Sequence, residues 1–133
     1  MANDAQARYQ QLLAQLGQQT SAQPELALAK LDKLLSQRAH DPNFLHLKGL
    51  ALARVGRQRE AVDAMCASLK VHAEQPELHN NLANSYKSLA DNERAEHHYR
   101  EALRLRPDYV DALKNLALLL SARGDSGAAE DCL

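Results

Sequence analysis

Residues 76–109 read PELHNNLANSYKSLADNERAEHHYREALRLRPDY, and their pattern decides the fold. Two runs of helical periodicity flank a short polar turn, Ala90-Asp91-Asn92, and Pro107 closes the unit. Leu82, Ala83 and Tyr86 fall on one face of the first run; Ala95, Tyr99, Ala102 and Leu103 fall on one face of the second. Ala83 and Ala95 are small enough for two antiparallel helices to approach closely, while Leu82, Tyr86 and Tyr99 fill the space between them.

Working outward, the same pattern recurs. Ala27, Ala61, Ala95 and Ala129 are spaced 34 residues apart. Pro42 and Pro76 share that spacing, as do Gly49, Ala83 and Ala117, and Leu52, Tyr86 and Leu120. The position of Tyr99 is taken by Met65 one period before it and by Leu133 one period after. Chance can produce one such column, hardly four in register.

The set His79-x2-Leu82-Ala83-x2-Tyr86, followed by Ala95-x3-Tyr99, Ala102 and Pro107, resembles a tetratricopeptide repeat. His79 stands where that family usually has a large aromatic, at a site commonly half buried, and Ala83 where it often has Gly. The resemblance implies an all-α, right-handed α-solenoid of antiparallel helix-turn-helix repeats. It divides a single domain of residues 1–133 into a divergent helix pair at 8–41, repeats at 42–75 and 76–109, and a truncated repeat at 110–133. In the first pair, Tyr9-x2-Leu12-Leu13-x2-Leu16 keeps the spacing and Pro24 opens the second helix. Leu16 to Ala27 is longer than its counterparts, so residues 17–23 (GQQTSAQ) are expected to form an extended turn. Lys48 replaces the usual Leu of the next repeat; its stem should pack and its amine reach solvent. Leu133 ends its helix about two turns early, which leaves an apolar face without a polar cap and predicts a fragment of a longer polypeptide.

Composition narrows the function. The 133 residues hold one Phe, no Trp and four Tyr, so Ala and Leu carry the interior, as suits close-packed helices. Residues 1–75 carry nine basic and seven acidic side chains, and residues 76–133 seven and ten, for a net charge of −1. No basic patch argues for nucleic acid. Cys66 and Cys132 are isolated and imply neither a disulfide framework nor a metal knuckle. The start MANDAQARYQ lacks the form of a signal peptide, and the longest apolar run, 116–120, is far below a membrane span. These features predict a reducing, cytoplasmic setting.

Candidate chemistry is thin. Gly124-Asp125-Ser126-Gly127 matches a serine-protease tetrapeptide, yet it falls at an inter-helix turn, where Asp125 or Ser126 serves as a helix cap. Glu93, His97 and Glu101 are four apart with His98 adjacent, but no second ligand-bearing helix completes a metal site; surface ion pairs are the expected role. No catalytic residue, cofactor or metal is predicted. The expected binding face is polar: Asn80, Asn81, Asn84 and Lys87, with Lys114 and Asn115 one period on, and His46 and Arg54 one period back. Such faces line the concave groove of tetratricopeptide arrays. An amide both donates and accepts, which suits an extended peptide backbone. Asn81 and Asn115 resemble the asparagine ladder of O-linked N-acetylglucosamine transferases, and Leu47 breaks it after two rungs. The expected function is a non-catalytic scaffold holding a peptide or partner helix in that groove. The alternative is the N-terminal repeat region of a larger transferase: 107–117 (PDYVDALKNLA) resembles bacterial proteins in which repeats precede a sulfotransferase or glycosyltransferase domain. An end-to-end homodimer through an apolar end near Leu116, Leu120 and Leu133 is a further expectation.

Overall fold

The computed structural model describes residues 2–123. Within them the chain is all α: α1 Ala2–Ala22, α2 Pro24–Gln37, α3 Pro42–Arg54, α4 Gln58–Val71, α5 Pro76–Ser88, α6 Asn92–Leu105 and α7 Val110–Arg123, with no strand among the described residues. Helix starts keep the sequence period. Pro24, Gln58 and Asn92 are 34 residues apart, as are Pro42, Pro76 and Val110. Ala129, Cys132, Leu133 and the 124–127 tetrapeptide lie outside the described residues. The chain forms two compact units, Met1–Ala73 and Glu74–Leu133.

In the first unit, α1 packs on α2 and α3, α2 on α3, and α3 on α4. Ala27, Leu31, Ala51, Ala61 and Met65 are fully buried there. Gly49 permits the closest approach: a Cβ at this position would lie 2.5 Å from Met65 Cγ and 3.3 Å from the Ala61 carbonyl oxygen. Gly56 closes the α3–α4 turn with φ of +87°, the left-handed region that favours glycine. The Lys48 ammonium is not simply solvated; it meets Asp32 of α2 at 2.8 Å.

The expected turn at residues 17–23 is absent. Helix α1 continues through Ala22, and Gln23 alone separates it from α2. Gly17 costs the helix about 1 kcal/mol against alanine without stopping it, and no proline interrupts the stretch before Pro24. Thr20 is buried within the continuous helix, and its hydroxyl is satisfied by donating to the Leu16 carbonyl at 2.8 Å. The chain bends only where Pro24 disfavours helical geometry in the preceding residue, and Gln23 takes φ −142° and ψ 71°.

In the second unit, α6 packs on α5 and α7. Ala83, Ala95, Tyr99, Leu116 and Leu119 form its core, with Tyr86, Leu103 and Leu120 packed against them. Leu116, expected at an open apolar end, is thus buried; the exposed large apolar residues of α7 are Val110, Leu113 and Leu118. The α5–α6 turn repeats the backbone of the earlier one, with Ala90 at φ +62° one period after Gly56.

Candidate functional site

In the second unit the polar face of α5 runs beside α7. Asn80 is 5% exposed, and its side-chain oxygen accepts from Asn115 Nδ2 at 3.1 Å. Asn80 also bonds the Tyr109 side chain, whose hydroxyl is raised above its ordinary pKa, chiefly by burial. The lateral link between the helices is therefore Asn115 to Asn80, one residue from the Asn81–Asn115 pairing that the period suggests. A one-period repeat aligns helices but not amide tips, and Asn80 faces the neighbouring helix more directly. Asn80 and Asn115 accordingly fix the spacing of α5 and α7.

Around this link, Asn81 is half-buried, while Asn84, Lys87 and Lys114 are exposed. Asn84 accepts a hydrogen bond from the Tyr99 hydroxyl. Tyr99 is wholly buried, and that burial pushes its hydroxyl up to about 12, so it stays protonated and a donor. The Asn84 amide is thereby fixed by the core beneath it, leaving its nitrogen toward solvent. In the first unit, His46 is half-buried on α3 and Arg54, the last residue of that helix, is exposed.

Three arrangements have weak or no signals in the sequence. The first is a histidine pair: His79 is buried at 7% exposure, not half-buried, and its Nδ1 lies 3.0 Å from Nδ1 of His98, with one ring donating and the other accepting. Tyr86 stacks on His98 with centroids 5.6 Å apart, and His97 meets it edge-on at 4.9 Å. The second is Asp41, which caps α3 by accepting from the amides of Asn43 and Phe44 and takes the Tyr9 hydroxyl at 2.7 Å. An Asp directly before a Pro at a helix start is a readable cap signal. The third is a pair of cavities on the α1–α2 hairpin, which no periodicity announces. Glu101 of the Glu93/His97/Glu101 series is ion-paired with Arg104 at 2.9 Å. Among the described residues no three His, Cys, Asp or Glu converge as a metal site. None of the described helices is long and apolar enough to cross a membrane.

Two family models described as Tetratricopeptide repeat match residues 76–109 and 98–131. No curated protein matches the sequence. Among solved structures, the repeat region of Thermobaculum terrenum O-GlcNAc transferase (a K341M mutant) superposes with a TM-score of 0.79 at 25% identity. That match covers 86% of this chain but 22% of the transferase chain. MamA superposes at 0.76 and 16% identity over 84% of this chain and 68% of its own. The first TPR of Spaghetti (RPAP3), bound to the HSP90 peptide SRMEEVD, gives 0.77 at 15% identity over 86% and 94%. These likenesses share one fold class, the α-solenoid of antiparallel helix pairs.

Proposed function

We propose that this chain, a member of the tetratricopeptide repeat family, is a non-catalytic interaction module that holds an extended peptide or partner helix along the polar face of α5 and α7. One observation carries the reading. The Asn115–Asn80 hydrogen bond sets the two helices side by side, and Asn81, Asn84, Lys87 and Lys114 then present amides and ammonium groups around that link. Preset amides lower the ordering cost of capturing a main chain. The HSP90 peptide bound by the RPAP3 repeat supports the same use of the fold. Within the first unit taken by itself, His46 and Arg54 of α3 are the polar groups proposed to contact a peptide. The half-buried Cys66 thiol accords with a reducing, cytoplasmic setting.

The test is selection of binders from a displayed library of extended peptides, with affinities measured by calorimetry. Asn81→Ala and Lys114→Glu should each weaken the selected peptide at least fivefold. A binder indifferent to both substitutions refutes the groove.

A second reading is favoured by the transferase likeness, which covers 86% of this chain. On it, the same face orients an acceptor polypeptide for a transferase domain elsewhere in a larger protein. The end-to-end homodimer expected through Leu116, Leu120 and Leu133 would have to form without Leu116, which is buried; sedimentation showing only monomer at high concentration would refute that contact.

A further inference from the structure

The α1–α2 hairpin carries a second, chemically different surface. Two cavities of about 340 and 240 Å³ adjoin along it and share Leu12, Leu34 and Gln37 in their linings. In the first, the stacked rings of Tyr9 and Phe44, with centroids 5.8 Å apart, add an aromatic floor. In the second, buried Leu16 continues the apolar floor along α1. The two linings form one trough because Arg8, Leu12 and Leu16 make an i, i+4 stripe on α1, and Lys30, Lys33, Leu34 and Gln37 make a matching stripe on α2, with Arg38 at its C-cap.

Every charged group on the trough's lining is a cation. Arg8 and Arg38 line the first cavity, Lys30 and Lys33 the second, and neither lining contains a carboxylate. None of the four is ion-paired with a carboxylate among the described residues: Arg8 Nε donates to the Asp4 carbonyl, and the Arg38 guanidinium lies over the Tyr9 ring at 5.8 Å. Of the acids at its end, Asp41 is already held by the Tyr9 hydroxyl and the α3 amides, and Asp4 lies one turn before Arg8 outside the lining. Other cations among the described residues are ion-paired, as at Lys48–Asp32, Arg57–Glu60 and Arg100–Glu96, or stand singly, as Arg54 and Lys70 do; the trough is set apart by gathering four along one apolar lining with no carboxylate in it. Four cations left facing one apolar channel are an anion-attracting rim around a hydrophobic seat.

We infer that this trough docks an acidic amphipathic helix of a partner protein, with aliphatic side chains at i, i+4 seated in the two cavities and flanking Glu or Asp residues meeting Arg8, Lys30, Lys33 and Arg38. Residues 30–37 span about 11 Å of α2 at the standard rise, the length of roughly two helical turns. The recessed floor favours a protruding side chain over a lipid surface. A bilayer is entered by projecting apolar groups, and the exposed large apolar residues, Leu26 and Val71 in this unit, lie off the trough's lining. This surface uses none of the residues of the proposed peptide groove.

The experiment titrates the full chain into a fluorescent, helix-constrained peptide bearing Leu at i, i+4 and Glu on both flanks, with its Lys-for-Glu counterpart as control, and follows anisotropy. Saturable binding of the Glu peptide is expected, weakened at least tenfold by Lys33→Glu with Arg38→Glu and left within twofold by Asn81→Ala with Lys114→Glu. Circular dichroism confirms that both double variants keep the wild-type helix content. A Lys33→Met, Arg38→Met variant, which removes the charges but keeps unbranched side chains of similar length, should also lose affinity. Equal binding of the Lys peptide, or loss only in the groove variant, overturns the site. So does absence of peptide binding alongside cosedimentation with phosphatidylserine vesicles, which would assign the cations to a membrane surface.

Discussion

Ala90 shows how a single residue carries a backbone cost. Its φ of +62° occupies the conformation that Gly56 takes one period earlier, and an L-residue with a Cβ is disfavoured there by about 1–2 kcal/mol. Ala90→Gly should therefore raise stability by about 1 kcal/mol, read as a higher chemical denaturation midpoint with unchanged slope. A lower midpoint would mean that the freedom given to the unfolded chain outweighs the relieved strain. The neighbouring Asp91 secures the same turn, accepting from the Arg94 amide at 3.2 Å and its guanidinium at 2.6 Å, so its carboxyl is held below the ordinary range.

Between elements, the deciding quantity is the gap between paired helices. Gly49→Ala places a methyl against Met65 and the Ala61 carbonyl oxygen; the flexible thioether can yield, but the carbonyl cannot easily do so. The clash should exceed the roughly 1 kcal/mol that alanine adds to helix propensity, for a net loss of about 1–2 kcal/mol. An unchanged denaturation midpoint would show that α3 and α4 slide apart freely. This gap was legible in the sequence, because Gly49 and Ala83 share a column and small residues there require close approach. The histidine pair was not: periodicity identifies which face His79 occupies but not that His98, 19 residues on, turns its ring toward it. Nor did the period reveal the uninterrupted α1. The helix there runs on until Pro24 disfavours helical geometry at Gln23, and a spacing between columns does not tell whether extra residues lengthen the turn or the helix. At the candidate site the polar face was readable, while the choice of Asn80 over Asn81 as the lateral partner depends on side-chain reach.

For the molecule as a whole, acid should act on one unit before the other. In the second unit, burial first, then His79 and His97, lowers His98 from 6.5 to about 4, while Glu101 opposes the shift. The unfolded chain accepts a proton below about pH 6.5 that the folded chain refuses until about pH 4, so the stabilisation present above 6.5 is lost across that window. Of the first unit's histidines, His40 and His72 are exposed and His46 is half-buried, and none is as buried as His79. Amide hydrogen exchange followed from pH 7 to 4 should show α5 and α6 losing protection while α2 and α3 retain it; uniform loss would contradict the assignment. The neighbour-to-neighbour packing within each unit has a kinetic consequence as well. Helices there touch only partners one or two elements away, so each contact closes a short loop. Low contact order of this kind places folding in the microsecond-to-millisecond range, and during synthesis α1 and α2 can pair before α5 has been translated.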